Sequence, residues 1–175
     1  MAEIKTKYYS TVALTFTTLG ALAASATWVA GAESLAVDNT SNLYDDYLIS
    51  MILKTAATNY NTVACKAELW IVAPLNDTPL WPGVFAGTDA TRSPSRDELY
   101  NVARYVGGIN LSGTTAASTL YAMAPVSVAQ LYGGIVPVKF SAYVTHNLMT
   151  STNVLAAQAA GINQVYVTPA TYTSA

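Results

Sequence analysis

His146 is the only histidine in the chain, and it stands just past an alternating segment in Val144-Thr145-His146-Asn147. A hydrolytic triad needs such a residue beside a serine nucleophile and an acid. The chain carries no G-x-S-x-G elbow, so His146 reads as a loop histidine without a catalytic role. Cys65 is the only cysteine, which rules out an intrachain disulfide and a cysteine-rich zinc site. Its setting, Val63-Ala64-Cys65-Lys66-Ala67-Glu68-Leu69, places it mid-strand, where a thiol behaves as a small buried apolar group. Asp45-Asp46 is an acidic pair at a strand edge, flanked by Tyr44 and Tyr47 with no third acid nearby. Calcium asks for six to eight oxygens from a loop with spaced acids and a turning glycine. Gly107-Gly108 and Gly133-Gly134 lack the G-x-G-x-x-G spacing and the following Lys-Ser/Thr of a phosphate cradle. They read as a bulge and a helix C-cap. Asn39-Thr40-Ser41 and Asn110-Leu111-Ser112 match the N-x-[ST] pattern, which carries meaning only in a secretory host. Trp28, Trp70 and Trp81, with the tyrosines, have the surfaces to stack sugars, although aromatics on strands more often form core or interface. These residues predict no catalysis, no metal and no cofactor.

The composition agrees. Asp, Glu, Lys and Arg make up 18 of 175 residues, or 10%, against roughly 25% in soluble domains. Hydrophobic residues reach 52%, and much of the polar remainder is Thr, Ser and Asn with 12 Tyr added. That mixture suits strands with hydroxyl-rich outer faces on a surface partly covered by copies of the chain or by a larger partner. A net charge of −2, a pI near 5.1 and the lack of a basic run argue against nucleic acid. The length suits one domain with a sizeable core. An apolar stretch over residues 12–26, preceded by Lys5 and Lys7 and ending in Ala24-Ser25-Ala26, has the outline of a signal peptide. Thr15, Thr17 and Thr18 alternate there with Leu14, Phe16 and Leu19, which predicts a strand instead; no membrane span is expected.

The elements that must position these side chains follow from alternation and turn chemistry. Residues 1–10 read as an N-terminal arm carrying Lys5, Lys7, Tyr8 and Tyr9, with too little apolar periodicity to join the sheet; extended, it spans about 33 Å. Residues 11–175 form a single β-sandwich domain. Strands are predicted over 11–24, 27–37, 47–53, 63–73, 102–111, 119–126, 136–144 and 163–172, with the third and fourth paired at the heart of one sheet. Residues 74–97, with Pro74, Pro79, Pro82, Pro94, Trp81 and Phe85, form a long loop of the kind that carries contacts. Ser95 to Glu98 has capping-box spacing for a helical turn, and Ser127 to Gln130, stopped by Gly133-Gly134, predicts one short helix. The fold class is all-β, a jelly-roll-like two-sheet antiparallel sandwich.

Three blocks carry a resemblance: Val37-Asp38-Asn39-Thr40-Ser41-Asn42-Leu43-Tyr44, Glu68-Leu69-Trp70-Ile71-Val72, and the run PVSVAQLYGGIVPVKFSAYVTHN over 125–147. Together they resemble the tailed-bacteriophage capsid decoration or cement proteins, small β-sandwich virion proteins. The resemblance implies a jelly-roll-like sandwich, homotrimers on the exterior of an icosahedral shell, the major capsid protein as partner and no enzymatic activity. It also implies a virion location after synthesis in the host cytoplasm. It transfers no active-site residues. The candidate partner contacts are Lys5, Lys7, Tyr8, Tyr9, Trp81 and Phe85. A second class of function is a sugar-binding sandwich on a phage tail or fibre, which an open groove lined by Trp81, Phe85 or Trp28 favours. A secreted hydrolase finds too few acid–base residues here.

Overall fold

The computed structural model describes residues 3–22, 28, 30–55, 65–76, 78–111, 119–147, 155, 156, 159 and 161–174. Its strands are β1 (Ile4–Tyr8), β2 (Val12–Ala13), β3 (Gly31–Glu33), β4 (Val37–Asp38), β5 (Asp46–Lys54) and β6 (Lys66–Val72). They continue with β7 (Ala90–Arg92), β8 (Ala103–Asn110), β9 (Leu120–Ser127), β10 (Lys139–His146) and β11 (Gln164–Ser174). Two helices, α1 (Arg96–Val102) and α2 (Val128–Leu131), and a 3-10 turn at Leu19–Ala21 complete the described elements.

Pairing runs inward from the two ends of the chain. β1 and β2 pair with β11, β3 and β4 with β10, β5 with β9, and β6 with β8, all antiparallel. This long hairpin is rolled up, so that β11 also pairs with β5 and β10 with β6. One sheet has the order β1-β11-β5-β9 and the other β7-β3-β10-β6-β8. That is the jelly-roll sandwich the alternation predicts.

The strand pair expected at the heart of one sheet is divided between the two. β5 and β6 are central strands of opposite sheets, and Tyr47, Ile49, Met51 and Leu53 meet Ala67, Leu69 and Ile71 across the core. Each strand has an apolar inner row, and such rows stabilise by facing each other across the sandwich as well as by pairing edge to edge. Cys65 is buried in the same core. Leu14 and Phe16 also enter it while Thr15 and Thr17 stay exposed, so the alternation over 11–24 is real although only Val12–Ala13 is strand. Gly107-Gly108 does mark a bulge: Leu69 faces Gly107 and Trp70 faces Tyr105, leaving Val106 as the extra residue. The second half of the signal-like segment, Ala24-Ser25-Ala26, and Ser112 of the second glycosylation pattern lie outside the described residues.

Both capping boxes were legible, one of them as too little. Ser127 Oγ accepts the Gln130 N–H at 3.1 Å, and Gly133 and Gly134 then take φ of 74° and 98°, ending α2. At Ser95 the box is complete: Ser95 Oγ accepts from Glu98 N–H at 3.1 Å, and the Glu98 carboxylate accepts from Ser95 N–H at 3.4 Å. It opens a second true helix, α1, which adds Leu99 to a second core.

That second core lies on the outer face of the β10-β6-β8 sheet. Trp70, Val72, Ala103 and Tyr143 rise from the strands and are covered by Phe85 and Leu99. The covering segment is knotted down by Glu33, wholly buried, whose carboxylate accepts from Gly87 N–H at 2.7 Å, Ser141 Oγ at 3.0 Å and Arg92 Nε at 2.6 Å. The proline-rich loop is therefore a lid over one sheet.

Candidate interaction surfaces

The arm is part of the sandwich. Ile4–Tyr8 pairs along β11 from Ser174 to Ala170, and every residue of β1 is exposed. An edge strand with both faces in water needs no apolar periodicity, because backbone pairing positions it; that is why the alternation did not reveal it. Lys5 and Lys7 are exposed, with Lys5 Nζ 3.6 Å from the Glu3 carboxylate. Tyr8 is exposed, whereas Tyr9 turns inward under the Lys7 ammonium, 4.8 Å from its ring centre. Tyr9 begins an aromatic chain: its ring lies 4.8 Å from Tyr44, Tyr44 5.6 Å from Tyr47, and Tyr47 5.3 Å from Phe140 in the core. Burial pushes the Tyr47 phenol up to about 12.

The two aromatic candidates of the loop serve the fold. Phe85 is buried edge-on against Tyr143 at 5.2 Å, so it is corrected from a partner contact to a core residue. Trp81 is half-buried against the second core, its ring occupying the space a side chain at Gly87 would need. Phe85, being buried, offers no wall to an open groove with Trp81 or Trp28. His146 ends β10 inside the core, where burial lowers its pKa to about 4. The Asp45-Asp46 carboxylates hold backbone: Asp45 accepts from Tyr172 N–H at 2.6 Å, and Asp46 from Tyr47 N–H and Ala129 N–H at 2.7 and 2.9 Å. Among the described residues no group of three His, Cys, Asp or Glu stands ready for a metal, and no helix is long and apolar enough to cross a membrane.

Two surfaces stand out, each built around a bulky residue with left-handed backbone. Of the three non-glycine residues with positive φ among the described residues, Asn163 is of a type that tolerates it, but Leu43 (φ 50°) and Trp28 (φ 59°) are not. Such strain costs about 1–3 kcal/mol and persists where the surroundings over-determine it.

The first surface is aliphatic. Asn39 grips the loop after β4: its Nδ2–H donates to Tyr44 O at 3.0 Å, and its Oδ1 accepts from Tyr44 N–H at 2.9 Å and the Tyr47 hydroxyl at 3.0 Å. Its amide nitrogen thus points inward, not toward a glycan. The grip leaves Leu43 72% exposed. Ile135, in the loop after α2, is 76% exposed and shares one cleft with Leu43 and Val138, while Leu75 shares the neighbouring one with Val138. A cleft of about 350 Å³ runs between Thr40, Leu75, Pro137 and Val138, and one of about 380 Å³ between Leu43, Ile135, Val138 and Tyr172. Of the charges beside the two clefts, Asp45 accepts from the Tyr172 N–H and Lys139 pairs with Asp38. Lys139 lies 2.8 Å from Asp38, and with Thr40 it holds that carboxyl well below the usual range.

The second surface is aromatic and polar. On the outer face of β6, Glu68 accepts both Arg96 guanidinium branches, at 2.6 and 3.1 Å, and the Trp70 indole N–H at 3.2 Å. Arg96 lies over Trp28, Trp70 and Tyr100, at 5.1, 5.4 and 4.8 Å from the ring centres. Tyr100 and Tyr105 flank Trp70 at 5.3 and 5.0 Å and are 57% and 48% exposed. Burial and then Glu68 raise the Tyr105 phenol. Gly108 lies beneath, since a Cβ there would meet the Tyr105 hydroxyl at 2.8 Å. Sequence reasoning named the aromatic rings of the second surface, Trp28 and Trp70 with the tyrosines, but missed the Glu68–Arg96 pair among them and the whole of the first surface. The signals for the missed parts were a leucine following the polar run at 38–42, and a glutamate and an arginine on segments whose proximity depends on the fold. No family model, curated protein or solved structure matches this chain.

Proposed function

We propose that the chain is a non-enzymatic virion structural protein, which decorates and stabilises an icosahedral phage capsid from the outside by binding the lattice of the major capsid protein. The observation that carries the reading is the aliphatic end. Leu43, Leu75, Ile135 and Val138 are exposed on loops anchored by hydrogen bonds, and strain is spent to hold Leu43 outward. A folded protein rarely arranges adjacent large aliphatic residues in water without a partner to cover them. The jelly-roll sandwich is among the architectures used by capsid domains, and the sequence blocks and low charge point the same way. Fold alone does not assign function, so the test addresses the surface. Purified chain mixed with shells lacking it should cosediment with them, and Leu43→Asp or Ile135→Asp should reduce attachment at least tenfold while the melting temperature stays near that of the parent. Attachment unaffected by both substitutions would overturn this assignment.

A further inference from the structure

We propose that the outer face of the β10-β6-β8 sheet, at Trp28, Glu68, Arg96, Tyr100 and Tyr105, is a binding platform for a neutral oligosaccharide. This goes beyond attachment to a shell and uses a different surface. A pyranose offers an apolar C–H face and a rim of hydroxyls, so it requires an exposed aromatic ring beside fixed donors and acceptors. Tyr100 and Tyr105 present half-exposed rings, and the Arg96 guanidinium, its side chain 29% exposed, lies among them as a donor held from beneath by the buried Glu68 carboxylate. The ion pair cancels its own charge, which selects an uncharged ligand over an anion. The groups are already held. Arg96 is bidentate on Glu68 and donates to the Tyr100 hydroxyl at 3.0 Å, and the Thr145 hydroxyl sits between the Trp28 and Ala30 carbonyls, at 3.1 and 2.9 Å. Little side-chain freedom remains to be lost on binding. A protein partner fits less well, because the cluster lacks the exposed aliphatic side chains that characterise the Leu43 end.

The test is a tryptophan-fluorescence titration of the full chain with gluco-, galacto-, manno- and xylo-oligosaccharides, with oligogalacturonate as the charged control. At least one neutral series should give a saturable change. Tyr100→Ala and Tyr105→Ala, both at exposed positions, should weaken it about tenfold, equivalent to about 1.4 kcal/mol. Leu43→Asp should bind sugar normally, which separates this proposal from the attachment surface. The proposal is overturned if no neutral series saturates, if both tyrosine variants bind like the parent, or if those variants lose shell attachment while sugar has no effect.

Discussion

His146 closes β10 with its imidazole inside the core, where the uncharged form is favoured and its pKa drops to about 4. In the unfolded chain the same group titrates near 6.5. Below that value the unfolded state takes up a proton that the folded state refuses. Stability is therefore complete above about pH 6.5 and falls as the pH drops toward 4, by on the order of 3 kcal/mol in all. As the only histidine, it is the one side chain that ordinarily titrates in this window. Between pH 7 and 5 the parent should lose about 2 kcal/mol of unfolding free energy in urea, and His146→Gln should flatten most of that slope. An unchanged slope would mean that the buried imidazole is not the cause. His146→Ala, harmless for a loop histidine, is expected to destabilise the protein by about 2 kcal/mol or more through the cavity it leaves. Sequence placed this residue two positions beyond the end of its strand, and that short distance separated solvent from core. Leu43 and Trp28 were less legible still, because left-handed backbone at a bulky residue depends on tertiary surroundings, such as the Asn39 contacts to Tyr44, that alternation does not encode.

Elements with a buried face were the legible ones. β5, β6, β10 and β11 announce themselves through alternation, and both helices through Ser-x-x-Glu and Ser-x-x-Gln. β1 has no buried face and left no such mark, yet it completes an edge and brings Tyr9 onto Tyr44. Removing residues 2–9 deletes five paired backbone positions and the first link of the chain that ends at Phe140. The truncated protein should remain folded but lose about 2 kcal/mol, from one aromatic contact and the strand pairing. For a domain of this size that lowers the melting temperature by roughly 4–8 °C. Differential scanning calorimetry decides the matter: a melting temperature equal to the parent's would restore the picture of an arm independent of the sandwich.

At the scale of the molecule, the two sheets differ in what covers them. The outer face of one sheet is roofed by the loop after β6 and by α1, with Phe85 and Leu99 sealing it. The outer face of the other carries no element of the described chain. Because Tyr47, Ile49, Met51 and Leu53 point inward, Leu48, Ser50, Ile52 and Lys54 of β5 face outward, and Tyr166 and Thr168 of β11 lie beside Ser50 and Leu48. Lys54 is the only charge in that set. A broad face of Leu, Ile, Tyr and hydroxyls is suited to covering by further copies of the chain, and the chain's sparse charge gives little repulsion to oppose it. We therefore expect a homotrimer whose contacts are apolar. Static light scattering should give three times the chain mass at micromolar concentration, with the same value at about 0.1 M and 1 M salt, since screening has few charges to act on. Ile52→Lys, which places a second cation beside Lys54 on this face, should shift the mass toward that of one chain while far-ultraviolet circular dichroism remains that of a β protein. Monomer at every concentration and salt would eliminate self-association by this face.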